Sequence, residues 1–172
     1  MISLAALTAA IALYRNLELP PPRRSAQRQM SLIIYSASSA VGTLAIKFAR
    51  KSNIHPITAI AGKNKDLVHN LIHPSQGDVV LGDRDGEASV VIGVQQTIQR
   101  LGLRGVSYAF DTIANSTSVK LVAQLVKSGG DLNVIGPRRD GSAVPGNVKT
   151  SAAFVVVVRG QAFPLNDTFK MA

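Results

Sequence analysis

Residues 31–50 read SLIIYSASSAVGTLAIKFAR, and the order of residue types in that stretch decides the fold. Leu32, Ile33, Ile34 and Tyr35 form an apolar, β-branched run. Small residues follow, and then Val41, Leu44, Ala45 and Phe48 recur at helical spacing. Strand, tight turn and helix in that order make a phosphate cradle. Small side chains let the backbone approach, and the free N–H groups and positive dipole end of the new helix attract the anion.

The dinucleotide fingerprint spaces three small positions, ideally glycines, through such a turn. Here they are Ser36, Ser39 and Gly42. Serine keeps the turn tight, and its hydroxyl can donate to a phosphate oxygen. At a position needing positive φ, however, serine is strained where glycine is not. About 20 residues further on, at the end of the second strand, an NAD-binding chain places an acid against the ribose 2′-OH. This chain instead has Ala61-Gly62-Lys63-Asn64-Lys65, with no carboxylate before Asp66. Lys63 and Lys65 would attract a 2′-phosphate, which points to NADPH over NADH. A solvated start to the next helix is the other role open to them.

Outward from the loop, strand and helix patterns alternate. Strands are expected over 32–36, 54–61, 78–81, 106–111 and 131–135, and helices over 40–51, 65–72, 88–101 and 118–127. Short polar or glycine-containing connections between them imply a doubly wound, Rossmann-type α/β domain, a parallel sheet with helices on both faces. A helix precedes it, because Ala5, Ala9, Leu13 and Leu17 share one face and Pro20-Pro21-Pro22 stops the pattern. The expected organisation is a helix over 1–18, an exposed linker over 19–30, the nucleotide-binding domain over 31–160 and an irregular tail over 161–172. Residues 138–150 read as a loop. The β-branched run from Ala152 to Val158 reads as an edge strand able to pair with a second copy, giving a homodimer.

Composition removes several function classes. The chain has 172 residues and a net charge of +9, from 19 basic and 10 acidic side chains. That charge suits a phosphorylated ligand. The basic residues are scattered, and with five Phe, three Tyr and no Trp there is no aromatic stripe for base stacking, so nucleic acid is not an expected partner. The apolar segment 2–13 lacks the preceding basic residues of a signal peptide and is shorter than the roughly 20 residues that span a bilayer, so no membrane is expected either. The absence of cysteine removes disulfides and thiolate metal sites and makes a reducing, cytoplasmic setting the default. His69 and His73 could share a helix face, but no Glu or Cys completes a zinc site. Neither a G-x-S-x-G elbow nor a Walker loop is present.

The chain resembles the medium-chain dehydrogenase/reductase superfamily, nearest its zinc-independent fungal enoyl reductase and quinone-reductase-like members. The resemblance is carried by Ala5-Ala6-Leu7-Thr8-Ala9-Ala10 with Leu13-Tyr14, by the loop Tyr35 to Gly42, and by Asn53-Ile54-His55-Pro56. Ala61-Gly62-Lys63, Tyr108-Ala109-Phe110-Asp111 and Gly129-Gly130-Asp131 extend it over most of residues 4–137. It implies that Ser38, Ser39, Ala40 and Val41 line the pyrophosphate and that Ile113 and Ile135 flank the adenosine or nicotinamide. It also implies that Thr8 lies near the nicotinamide; a hydroxyl bonding back within its own helix is the alternative. The acid matching Asp111 is structural in that family, and no catalytic residue is assigned. The family places a substrate-binding domain of roughly a hundred residues before the first helix, whereas this chain starts at Met1 almost inside that helix. A truncated cofactor half is therefore expected.

Three readings follow. The first is an NADPH-dependent reductase acting on a small conjugated enoyl or quinone acceptor. The second is a non-catalytic dinucleotide-binding or dimerisation module. The third is an S-adenosylmethionine-dependent methyltransferase-like domain, in which Lys63 and Lys65 would have no phosphate to meet.

Overall fold

A computed structural model describes residues 3–136 and 144–154. The elements run α1 (Leu4–Ala10), a π-helical segment (Ile11–Asn16), a 3-10 turn (Pro22–Arg24), β1 (Leu32–Tyr35), α2 (Ala40–Lys51), β2 (Ile57–Ala61), α3 (Lys65–His69), a 3-10 turn (Pro74–Gln76), β3 (Val79–Gly82), α4 (Glu87–Arg100), β4 (Val106–Asp111), α5 (Ser116–Leu125), β5 (Val126–Ile135) and β6 (Lys149–Ala153). All six strands are parallel, in the order β3-β2-β1-β4-β5-β6. The doubly wound α/β expectation holds.

The central strand shows why both faces are covered. Side chains alternate across a strand, so Leu32 and Ile34 of β1 enter one core while Ile33 enters the other. The first core holds Ala9, Leu13, Ala45, Ile46, Val68 and Phe110, the side of α1, α2 and α3. The second holds Val90, Val94, Val119, Val122 and Leu132, the side of α4 and α5. Helix α2 turns Gly42, Ala45, Ile46 and Ala49 inward. Tyr14 locks the leading helix to it, its hydroxyl lying 3.1 Å from the Phe48 carbonyl and 3.0 Å from Ser52 Oγ.

At the amino edge of β2 and β3, the fully buried Asp78 carboxylate draws three segments together. Oδ1 lies 2.8 Å from His55 Nδ1 and accepts from the Ile57 N–H at 2.7 Å. Oδ2 accepts from the His73 N–H at 2.9 Å.

Several boundaries differ from the sequence pattern. Segment 19–30 is not uniformly exposed, because Leu19, Ala26 and Met30 are buried in the first core. Strand β2 begins at Ile57 rather than 54, where Asp78 takes the Ile57 N–H. Helix α3 stops at His69, short of residue 72. Helix α5 ends at Leu125, and β5 starts at Val126 rather than 131, with a register irregularity against β4 between Val106 and Tyr108. The last strand begins earlier than expected, at Lys149, and the run Val155 to Val158 lies outside the described residues, as do residues 138–143 of the expected loop and the tail over 161–172.

Candidate functional site

The carboxyl edge of the sheet gathers most of the residues singled out by sequence. Tyr35 at the end of β1 stands opposite Ile60 of β2 and Asp111 of β4, and Asp111 stands opposite Val134 of β5. The loops after β1, β2 and β4 and the end of β5 therefore share one rim. The chain leaves β1 toward β2 and β3 and then returns to β4 on the other side, so the crevice between β1 and β4 is the topological switch point where such folds bind ligands.

The loop over that crevice is built tightly. Ser36 holds φ at +55°, the left-handed conformation that favours glycine. Ser39 caps α2, its Oγ accepting from the Gly42 N–H at 3.0 Å. A Cβ added to Gly42 would lie 2.6 Å from the Ser36 carbonyl oxygen and 2.8 Å from both Cα and the carbonyl oxygen of Ala37. The third fingerprint position therefore does the work of a third glycine, close approach of helix to loop. Ser36→Gly should relieve about 1 kcal/mol of left-handed strain and raise the melting temperature by about 2–4 °C. A calorimetric scan showing a lower melting temperature would contradict this account of the turn.

The sequence missed Thr112. Its hydroxyl donates to the Tyr35 carbonyl at 2.9 Å, and its Oγ1 lies 3.0 Å from Ser39 Oγ, bridging the β1 and β4 loops across the switch point. With the Thr112 proton so directed, Ser39 gives its own proton to Thr112, leaving none for a phosphate. The donors left to an anion are the first-turn N–H groups of Ala40 and Val41, which have no carbonyl of their own helix to bond, and the Ser38 hydroxyl. These residues fit a pyrophosphate.

Ile113, 47% exposed, projects beside this bridge on a loop held by Asp111. Asp111 Oδ1 accepts from the N–H groups of Ile113 and Ala114 at 2.8 and 3.1 Å, and Oδ2 accepts from Ser118 Oγ–H at 2.6 Å. Burial raises its pKa above the usual 3.8, against the lowering effect of those hydrogen bonds. A raised folded-state pKa contributes stability that is present below 3.8 and is lost as pH rises through the folded value. Asp111→Asn removes that titration. The natural chain should thus compare more favourably with the variant at pH 4 than at pH 7 in paired thermal melts, and the opposite ordering would contradict it.

The remaining candidates divide. Ile135 lies on the same rim, opposite Ala153. Gly62 follows the buried Ala61 at the end of β2; Lys63 is exposed, and Lys65 Nζ stands 3.9 Å from Asp85 Oδ2. Beside Gly62 stands a carboxylate that sequence spacing did not reveal, Asp83 from the end of β3; a Cβ on Gly62 would lie 3.2 Å from its Oδ1. Thr8 is buried, and its hydroxyl donates to the Leu4 carbonyl at 2.9 Å, the helix-internal role. His69 is exposed and His73 lies against the Arg50 guanidinium; no cluster of three or more potential ligands for a metal occurs among the described residues. A cavity of about 830 Å³ opens at the opposite, amino edge, lined by Glu18, Arg28, Tyr108, Asp131 and Lys149 among others. No helix among the described residues is long and apolar enough to cross a membrane.

No protein-family profile matches the chain. Among curated proteins it is 37% identical over 160 residues to the trans-enoyl reductase fsr4 of Gibberella fujikuroi, covering 91% of this chain and 46% of that protein. Over the part it shares with that relative, the chain is enoyl reductase-like, of the medium-chain dehydrogenase/reductase kind. The enoyl reductase-like sequence is also 32% identical over 123 residues to the trans-enoyl reductase ACTTS2 of Alternaria alternata, covering 72% of the chain and 33% of the relative. It thus spans less than half the length of either relative. Its fold matches the CurK enoyl reductase with a TM-score of 0.69 at 18% identity, over 92% of this chain and 44% of that one. It likewise matches Etr1p, solved in complex with NADP and crotonyl-CoA, with a TM-score of 0.67 at 18% identity, over 92% and 44%.

Proposed function

We propose that this chain binds NADPH and forms the cofactor-holding part of a zinc-independent reductase whose acceptor is a conjugated enoyl compound. The observation that carries the reading is the loop over 36–42, closed onto α2 through Gly42 and bridged to β4 at the switch point. Its likeness to trans-enoyl reductases, one of them 37% identical, supports the choice of chemistry.

In this reading the N–H groups of Ala40 and Val41 and the Ser38 hydroxyl hold the pyrophosphate, where the dipole of α2 adds attraction. Lys63 and Lys65 draw in the 2′-phosphate. Asp111 fixes the loop that sets Ile113 over the crevice. Bound nicotinamide would supply the hydride, and the chain's contribution is orientation and exclusion of water. No residue is assigned to proton transfer.

Titration of the purified chain with NADPH, NADH and S-adenosylmethionine tests the cofactor. Saturable NADPH binding is expected, and a clear preference for S-adenosylmethionine would overturn the reading. Loss of nicotinamide absorbance in the presence of enoyl thioesters or quinones then separates an enzyme from a binding module. Self-association through β6 is proposed on its position at the sheet edge. Light scattering should give a dimer mass, and a monomer mass would contradict it.

A further inference from the structure

We propose that Asp83 narrows this chain's discrimination between NADPH and NADH, by opposing the 2′-phosphate at the place where Lys63 and Lys65 attract it. The inference rests on the NADPH reading above and concerns its adenosine end. Strands β2 and β3 run parallel with Ala61 opposite Gly82, so the residues that follow them, Gly62 and Asp83, come side by side. The space that Gly62 leaves without a side chain is faced by the Asp83 carboxylate, whose Oδ1 and Oδ2 would stand 3.2 and 3.5 Å from a Cβ there. The backbone agrees, with the Asp83 N–H donating to the Ala61 carbonyl at 3.3 Å.

An acid at the end of the second strand accepts from the ribose 2′-OH in an NAD-binding fold. Asp83 offers the same group at the same place from the neighbouring strand, and its carboxylate has no hydrogen-bond or ion-pair partner among the described residues. Its charge reaches the phosphate loop as well: the Tyr35 phenol is raised first by burial and then by Asp83, Asp111 and Glu87. The lysines are meanwhile partly offset. Lys65 has Asp85 at 3.9 Å, which leaves Lys63 as the cation on this turn without an ion-pair partner among the described residues. A 2′-phosphate, with a charge of about −2, is drawn by Lys63 and repelled by Asp83. A free 2′-OH can donate to Asp83 instead. The gap in affinity between the two dinucleotides is therefore narrowed.

The test is calorimetric titration of the full chain, Asp83→Asn and Asp83→Ser with NADPH and with NADH at low ionic strength, with melting curves to verify folding. Both variants should shift the NADH-to-NADPH ratio of dissociation constants toward NADPH by about tenfold or more, through tighter NADPH and weaker NADH. Lys63→Gln should shift it the other way. A ratio unchanged within about twofold in both Asp83 variants, with NADPH still bound, overturns the role of Asp83 and leaves the cofactor reading standing. Failure of the natural chain to bind either dinucleotide overturns both.

Discussion

Gly42→Ala is expected to cost about 2–3 kcal/mol and to lower the melting temperature by roughly 5–10 °C, with dinucleotide affinity falling at least about tenfold. The new methyl would meet backbone on three sides: the Ser36 carbonyl oxygen, the Ala37 Cα and the Ala37 carbonyl oxygen, all within 2.8 Å. A side chain could rotate aside, but these atoms cannot move without lifting the loop from α2. Lifting it breaks the Ser39 cap at the Gly42 N–H and the Ser39 to Thr112 bridge. Both stability and binding should therefore suffer together. A variant that melts with the natural chain and binds NADPH equally well would show that the loop is not closed as described.

Asp78→Ala should destabilise more, by about 3–5 kcal/mol, without touching the carboxyl rim. The substitution strands the Ile57 and His73 N–H groups and removes the partner of His55 in a buried setting. Asp78→Asn retains an acceptor and should recover part of the loss. Because Asp78 precedes β3, at the opposite edge from the phosphate loop, the fraction that stays folded should bind dinucleotide with unchanged affinity. Urea titration gives the stability difference. A normal midpoint for Asp78→Ala would contradict the role of this carboxylate in joining β2, β3 and the segment at His73.

Local features were legible in the sequence because they depend on near neighbours. The run Leu32 to Tyr35, the small loop and the α2 periodicity fall within twenty residues. Ser36 occupies the left-handed position that the first glycine of the fingerprint would fill, and Gly42 supplies the close approach expected of the third. What escaped notice came from neighbouring strands. Thr112 reaches Ser39 only because β4 lies beside β1, and Asp83 reaches Gly62 only because Ala61 pairs with Gly82. Spacing along the chain is blind to both. The start of α5 differs for a local reason: Asn115 is the cap and Ser118 the third helical residue of a capping box, so a helix counted from Ser118 starts two residues late. Burial of Leu19, Ala26 and Met30 was hidden by the Pro, Arg and Ser around them.

In the proposed function the loop over 36–42, at the β1/β4 switch point, holds the cofactor's phosphates. Amide chemical shifts recorded while NADPH is added to the isotopically labelled chain test it most directly. The largest saturable shifts are expected at Ser38 to Gly42 and at Thr112 and Ile113. Shifts clustered instead around Arg28, Asp131 and Lys149, in the cavity at the amino edge, would contradict it.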